Sequence, residues 1–500
     1  MTEIFCLVWG ASLHYERDAN WESYVDMKLR KHLALGLFVG MAAGITGAGG
    51  AWAQTLEEAL SATYNSNPTL NSQRAALRAT DEGVPQALSG WRPTVTVTGT
   101  YEREYSYQTT RTGKRQAIRS PYGASLTFTQ NLYAGGSTEA LTSQAENTVL
   151  ATRAETVAVE QNILLDAATA YLDVYRDQAV LELNINNEQV LKRQLEATRD
   201  RFEVGELTRT DVSQAEARLA GSTADRIQSE GNLEASRAGY KNIIGHMPKE
   251  LAEPKMLGDI PTSEEEAIKV ALDVHPNVVA ATYTELAALD NVDNVRAQLL
   301  PSLDLSGTMS RNFETLSNTS RADEASIKAT LSVPIYQAGE VYSEVRESKQ
   351  LAAQDRVDLE FAKRRAIELA TRSWEALTTA RARIRSYKSQ IKAAEVALEG
   401  VQREAQVGSR TVLDVLDAEQ ELLDAKVSLV RAERDELLAV FQVQEATGRL
   451  TAKDLGLAVK VYNMNDHYNE VRDSWFGGSS SGDIDDTNGE GKSSEQNNQN

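Results

Sequence analysis

This chain repeats itself, and the repetition limits what it can fold into more than any other feature. Residues 204–219, VGELTRTDVSQAEARL, return at 407–422 as VGSRTVLDVLDAEQEL, with eight of sixteen positions identical. Upstream, EALSATYNSNPTL from Glu58 matches EAIKVALDVHPNV from Glu266, and WRPTVTVTG from Trp91 matches LLPSLDLSG from Leu299, at an offset of 208. NLYAGG from Asn131 then matches PIYQAG from Pro334, and Gly245 matches Gly448, at an offset of 203. Fixed-offset similarity means two tandem copies of one structural unit, 54–245 and 264–448, joined by a linker, 246–263. The offset changes between Gly99 and Tyr133, as it does in exposed loops that tolerate length changes.

Each copy opens with a helical run, about 56–90 and 264–299. The run stops at Pro93 or Pro301, because proline disfavours helix in the residue before it. Alternation follows, with strands expected at about 93–133 and 301–336. Val95, Val97, Tyr101, Tyr105 and Tyr107 share one face, and Thr94, Thr96, Thr98, Glu102 and Glu104 the other. The return strand sets Tyr122, Ala124, Leu126 and Phe128 against Ser125, Thr127 and Thr129. Copy two repeats this with Leu303, Leu305, Met309 and Phe313, then Ile327, Ala329, Leu331, Val333 and Ile335. Period two sustained this long is a strand signal, and one apolar face against one polar face suits strands between lipid and water.

After the strands, all ten prolines are absent from 122–247 and 335–500. Helices are expected at 137–204 and 208–245, and again at 340–407 and 411–448. The longer ones would each extend about 100 Å at 1.5 Å per residue. Leu416, Leu423, Val430 and Leu437 recur every seven residues, as do Val174, Leu181, Leu195 and Phe202 with Glu188 interrupting. That spacing suits coiled-coil packing along a narrow seam. The repeated stretch is the turn between helices. Gly205 and Gly408 stand where left-handed caps commonly end a helix. Thr208 with Asp211, and Thr411 with Asp414, have capping-box spacing.

A lipid-facing sheet cannot keep free edges, since each unpaired backbone group in hydrocarbon costs several kcal/mol. Four strands per chain cannot close, and an eight-stranded barrel is filled by its own side chains. Three chains are the smallest number that leaves a lumen. The fold class expected is therefore mixed: two tandem helix-strand-strand-helix-helix repeats, trimerising into a twelve-stranded membrane β-barrel continued by a long α-helical coiled-coil tube.

The remaining sequence narrows function. From Met27 a basic start, an apolar run and Ala51-Trp52-Ala53 form a secretory signal, so residues 1–53 are expected to be removed, the signal proper being 27–53. The only cysteine, Cys6, precedes it, which leaves the exported chain no disulfide or thiolate site. The net charge of −20 argues against a nucleic-acid partner and against binding anionic lipid surfaces. His14, His32, His246, His275 and His467 are scattered, and no metalloprotease, phosphate-loop or serine-hydrolase motif occurs. No enzyme activity and no cofactor are expected. Residues 449–476 form a C-terminal segment, and the tail 477–500 has disorder composition.

The architecture, the paired VG..T..DV..A tips and the NLYAGG and PIYQAG strand exits resemble the TolC family of outer-membrane efflux proteins. The resemblance covers 54–450, in order and in both copies. It implies a homotrimeric exit duct in outer-membrane lipid, joined through a periplasmic adaptor protein to an inner-membrane transporter of RND or ABC type. Such ducts export drugs or, in type I secretion, proteins. It implies that the tips, Val204, Gly205, Thr208, Val407, Gly408 and Thr411, meet the adaptor. By position, Asp414 and Asp417 match aspartates lining the closed periplasmic entrance, and Asp211 and Arg410 match residues of the network closing the tips. Ala405 replaces a tyrosine that well-studied members place in that network.

Asp211 and Asp414 are also sufficiently explained as caps. Asp417, whose counterpart is Gln214, lies one turn further in, where capping does not need it, and is expected on the lumen. Asp414 and Asp417, three residues apart, can share a face. Three-fold symmetry would gather six carboxylates, raise some of their pKa values, favour cations and offer a divalent cation a site. Two other classes stay open. A periplasmic coiled-coil adaptor or scaffold would need no lipid-patterned strands, and a diffusion porin would have no long helices.

Overall fold

The computed structural model describes residues 53–317 and 319–478. The expected signal segment through residue 52 and the expected disordered tail from residue 479 lie outside the described residues.

The opening run of each copy is broken, where one continuous helix was expected. Copy one has α1 (Leu56–Ser66), α2 (Pro68–Asp81) and the short α3 (Gly83–Leu88). Copy two has α6 (Glu264–Val274) and α7 (Pro276–Ala297). The cause is the residue pair at the break. Pro68 and Pro276 lack an N–H and therefore start a helix well, while Asn67 and His275 cap it. Asn67 Oδ1 accepts from the N–H groups of Thr69 and Leu70 at 2.9 and 3.3 Å. His275 Nδ1 accepts from the N–H of Asn277 at 3.2 Å. Burial holds the His275 pKa below its ordinary value, which keeps the ring neutral and able to accept.

Copy one was expected to have two strands and has four: β1 (Thr94–Tyr101), β2 (Glu104–Thr110), β3 (Gly113–Arg119) and β4 (Tyr122–Ala134). Copy two has β5 (Ser302–Phe313) and β6 (Arg321–Ser332). The interruption falls beside Pro121, which has no N–H for the ladder, although its carbonyl still accepts from Glu102 at 2.8 Å. The main sheet is antiparallel in the order β1-β4-β5-β6, so β4 against β5 joins the two copies. Cross-strand rows keep the faces apart. Val97, Leu126, Met309 and Ala325 form one row, and Thr96, Thr127, Thr308 and Ser326 the next. β4 carries a bulge at Leu132, between Asn131 opposite Asp304 and Tyr133 opposite Leu303. The extra residue turns Tyr133 onto the apolar face, as bulges re-aim side chains.

β6 ends at Ser332, so Val333 and Ile335 lie outside the strand, contrary to the expected extent. The matching exit in copy one stays paired because β4 is interior, whereas β6 is an edge and Pro334 cannot donate to a ladder.

Four longer helices follow the strands: α4 (Ser137–Glu203), α5 (Arg209–Ile244), α8 (Glu340–Gln406) and α9 (Val412–Ala446). α4 and α8 have 67 residues each, which at 1.5 Å per residue is about 100 Å. Each begins on a left-handed glycine, Gly136 or Gly339. Near the sheet α4 lies beside α7 (Asn147 to Asp290, 2.7 Å), and further along beside α5 (Asn184 to Ser229, 2.6 Å). α8 does the same with α7 (Arg356 to Glu285, 2.8 Å) and then α9 (Arg381 to Glu436, 3.2 Å). Arg434 of α9 reaches Asp173 of α4 at 2.8 Å and ties the two hairpins together.

The main core lies at mid-length, where α1 and α2 wrap α4 and α5. Leu60, Tyr64, Leu164, Tyr171, Tyr240 and Phe441 are all buried there. The Tyr171 hydroxyl lies 2.8 Å from the carbonyls of Gln54 and Ala252, so the first described residues and the linker meet on one side chain. The C-terminal segment packs on the same core through Leu450, Leu455 and Leu457. It then forms α10 (Asp466–Val471), where buried His467 contacts Asp81 at 3.1 Å.

Candidate functional site at the helical tips

The turns joining α4 to α5 and α8 to α9 lie at the far end of the long helices from the sheet. Each begins as a Schellman closure. In tip one, Gly205 N donates to Phe202 O and Glu206 N to Arg201 O, both at 2.9 Å. In tip two, Gly408 N donates to Ala405 O at 3.2 Å and Ser409 N to Glu404 O at 3.0 Å. This geometry needs positive φ, +86° at Gly205 and +79° at Gly408. A Cβ on either glycine would meet nothing within 4 Å, so backbone conformation and not space requires glycine there.

Each turn ends in a capping box. Asp211 Oδ2 accepts from Thr208 N at 2.9 Å and Oγ1 at 2.7 Å, and Asp211 N donates to Thr208 Oγ1 at 3.3 Å. Asp414 Oδ2 accepts from Thr411 N at 2.9 Å and Oγ1 at 2.8 Å, with Asp414 N donating back at 3.2 Å. These two hydrogen bonds from Thr411, with Arg410 nearby, hold the Asp414 carboxyl below its ordinary pKa. The shift within one chain is opposite to the rise expected from crowding with other carboxylates.

In the single chain Asp414 and Asp417 have different partners. Asp414 is turned back on its own cap, while Asp417 forms an ion pair with Arg218 of α5. Arg410 pairs with Glu404 of its own tip at 2.9 Å. Within one chain, Asp211 and Arg410 therefore each bond within the tip they belong to, and Arg218–Asp417 is a polar link between tips. An apolar seam lies beside it: Val412 and Leu416 of α9 pack with Leu191 and Leu195 of α4 and Ala215 of α5. Val204 and Val407, by contrast, are 74% and 80% exposed at the apex of each turn.

Arg218 and Glu404 are the site residues that sequence reasoning missed. The signal was divergence inside the repeat: Asp417 stands against Gln214, and Arg218 against Glu421. The two copies differ at the positions where they touch. A second divergence lies deeper. In copy one Arg199 pairs with Glu216 at 2.6 Å. In copy two Gln402 replaces the arginine, Glu419 Oε2 is buried without a hydrogen-bond partner, and burial pushes the Glu419 pKa up.

A family model described as "Outer membrane efflux protein" matches residues 59–246 and 267–449. The chain is 35% identical over 431 residues to the outer membrane efflux protein BepC of Brucella suis, covering 85% of this chain and 92% of that protein. It is 30% identical over 430 residues to the outer membrane protein TolC of Vibrio cholerae, covering 84% and 96%. Among solved structures, the outer membrane protein VceC of Vibrio cholerae superposes with a TM-score of 0.70 at 20% identity, over 79% of this chain and 96% of that one, which shows a common fold.

Proposed function

The chain belongs to the outer membrane efflux protein family, and from that premise we propose that three copies assemble into the exit duct of an export machine. The observation that carries the assembly is the sheet. β1 and β6 are both edges, the apolar face is solvent-exposed (Val97 74%, Ile327 86%), and four strands cannot close on themselves. Three copies give twelve strands and a lumen, and the helices on the same axis continue it as a tube. A periplasmic scaffold would have no use for this sheet.

The duct works with a periplasmic adaptor and an inner-membrane transporter of RND or ABC type, exporting small toxic molecules, secreted proteins or both. Val204, Gly205 and Thr208 with Val407, Gly408 and Thr411 form the adaptor-facing tips, whose exposed valines are available to a partner helix. Asp211, Arg410, Asp414 and Asp417 act at the periplasmic gate. Arg218–Asp417 holds the two tips of one chain together, and opening requires that pair to be exchanged for water. The experiment is reconstitution of the purified protein into planar bilayers. Channels of defined conductance from a species with the mass of three chains support the reading. A monomer, or a protein that a salt wash releases from membranes, overturns it.

A further inference from the structure

Beyond the aromatic row Tyr101, Tyr122 and Phe313, the end of the sheet away from the helices changes character. Residues 102–120 carry five basic side chains against two acidic ones, in a chain of net charge −20. The matching turn of copy two, 314–320, has no basic residue. The length difference between the copies falls in this same stretch.

β2 and β3 continue the β1–β4 ladder in register, since Tyr101 faces Tyr122 and Glu104 faces Arg119 with two residues skipped on each side. Period two therefore carries Tyr105, Tyr107 and Ile118 onward on the apolar face. All three are exposed. Lys114, opposite Thr109, falls on that face too, Arg111 is in the turn, and Arg103 is in the interruption. Glu104 is occupied by Arg119 at 3.1 Å. Among the described residues, Arg103, Arg111 and Lys114 have no carboxylate within ion-pair distance. The base of the hairpin is fixed, because Arg119 Nη1 donates to Thr315 O at 2.6 Å and Ser120 N to Glu314 Oε2 at 3.3 Å.

The level of these cations follows from β4, whose apolar face runs from Tyr122 to Tyr133. Ten ladder steps span about 33 Å along a strand, or about 25 Å of height at a tilt of ~40°, which is the apolar band of a membrane barrel. Tyrosines at both ends of such a band mark the two interfaces. The hairpin begins where the hydrocarbon ends, on the outer side.

We propose that the β2–β3 hairpin is a binding site for the phosphate groups of phosphorylated glycolipids in the outer leaflet. Its cations pair with phosphate, while Tyr105, Tyr107 and Ile118 lie against the upper acyl and sugar region. Unpaired cations beside an aromatic belt suit an anionic headgroup surface, which would otherwise repel so acidic a chain. The proposal rests on the outer-membrane duct reading.

The test uses the full-length protein in nanodiscs of phosphatidylcholine doped with bis-phosphorylated lipid A or its dephosphorylated form. Retained lipid is counted by native mass spectrometry. Wild type should retain the phosphorylated lipid preferentially. The triple variant R103Q/R111Q/K114Q should bind it on the order of 10- to 100-fold more weakly, with the difference shrinking as salt rises. The conservative triple variant R103K/R111K/K114R should behave as wild type. Equal retention of both lipids, or no change in the glutamine variant, overturns the proposal. So does preferential capture of soluble polyglutamate, which would make an acidic protein the partner. Bilayer conductance is measured in parallel. Channels without lipid preference sink only this proposal, whereas no channels from wild type sink the duct reading and this one with it.

Discussion

Glu419 and Asp417 show how much one substitution between otherwise similar copies can do. Glu216 has Arg199 as a partner, but its counterpart Glu419 has Gln402 and a buried oxygen without a bond. Burial raises the pKa of Glu419, so the folded tip prefers the protonated acid. The stability linked to this group is present at low pH and is lost as pH rises through the raised value. Glu419→Gln should make α8–α9 amides exchange more slowly at pH 7 by up to about 1 kcal/mol of opening free energy, and less at pH 4. Gln402→Arg should act in the same direction by restoring the copy-one pair. Hydrogen exchange at both pH values, corrected for intrinsic rates, checks this, and unchanged protection at pH 7 would refute it. Asp417 predicts a different readout. Arg218→Ala should loosen the link between tips and raise the frequency of single-channel opening without reducing the fraction of assembled protein. Replacing both Asp414 and Asp417 with Asn should weaken cation selectivity and block by divalent ions. Selectivity and block identical to wild type would leave Asp414 as a cap and Asp417 as a structural ion pair.

Among the elements, the tips separate a folding requirement from a docking one. Left-handed backbone at Gly205 and Gly408 costs a β-branched side chain about 1–2 kcal/mol each. The hydrophobic packing of helices this long should absorb that cost. Gly205→Val with Gly408→Val should therefore leave helicity and assembly intact while misdirecting Val204 and Val407. Cross-linking to the adaptor should fall several-fold and export with it. If export and cross-linking both survive, docking does not depend on the turns. The opening helices teach the complementary lesson. Their amphipathic pattern was legible, but a continuous run was expected across Asn67-Pro68 and His275-Pro276. Both pairs are a cap followed by an N1 proline, a local start signal that outweighs the pattern running through it.

Across the whole molecule the unpaired edges of the sheet set the main expectation. Heat-modifiable migration and native mass should show an assembly of three chains, and breaking an edge should prevent it. Thr96→Pro in β1 and Ile327→Pro in β6 each remove one ladder donor from an edge strand. A variant whose proline falls on the outward-facing side of its edge should assemble poorly while its helices keep their circular-dichroism signal. If both variants assemble normally, the edges are not the assembly surface and the barrel reading fails.

Much of this protein is written at short range. The tandem copies follow from offsets, the strands from alternation, the long helices from the missing prolines, and the tips from a glycine followed by a Thr-x-x-Asp box. Apart from the offsets, which compare the chain with itself, each of these signals lies within a few residues of what it specifies, so sequence determined the mixed fold class and the place of the turns. The tertiary structure decided what lies across distance. Asp417 stands out on its own helix as an acid that capping does not need, but only the fold supplies its partner, Arg218, 199 positions away, because α5 and α9 meet at the tips. Tyr133 has the same parity as Ser125, Thr127 and Thr129 of the polar face, but a bulge against β5 turns it to the apolar face. No local pattern encodes either outcome, because pairing between remote side chains depends on the register and packing of whole elements, which forms only when the two copies come together.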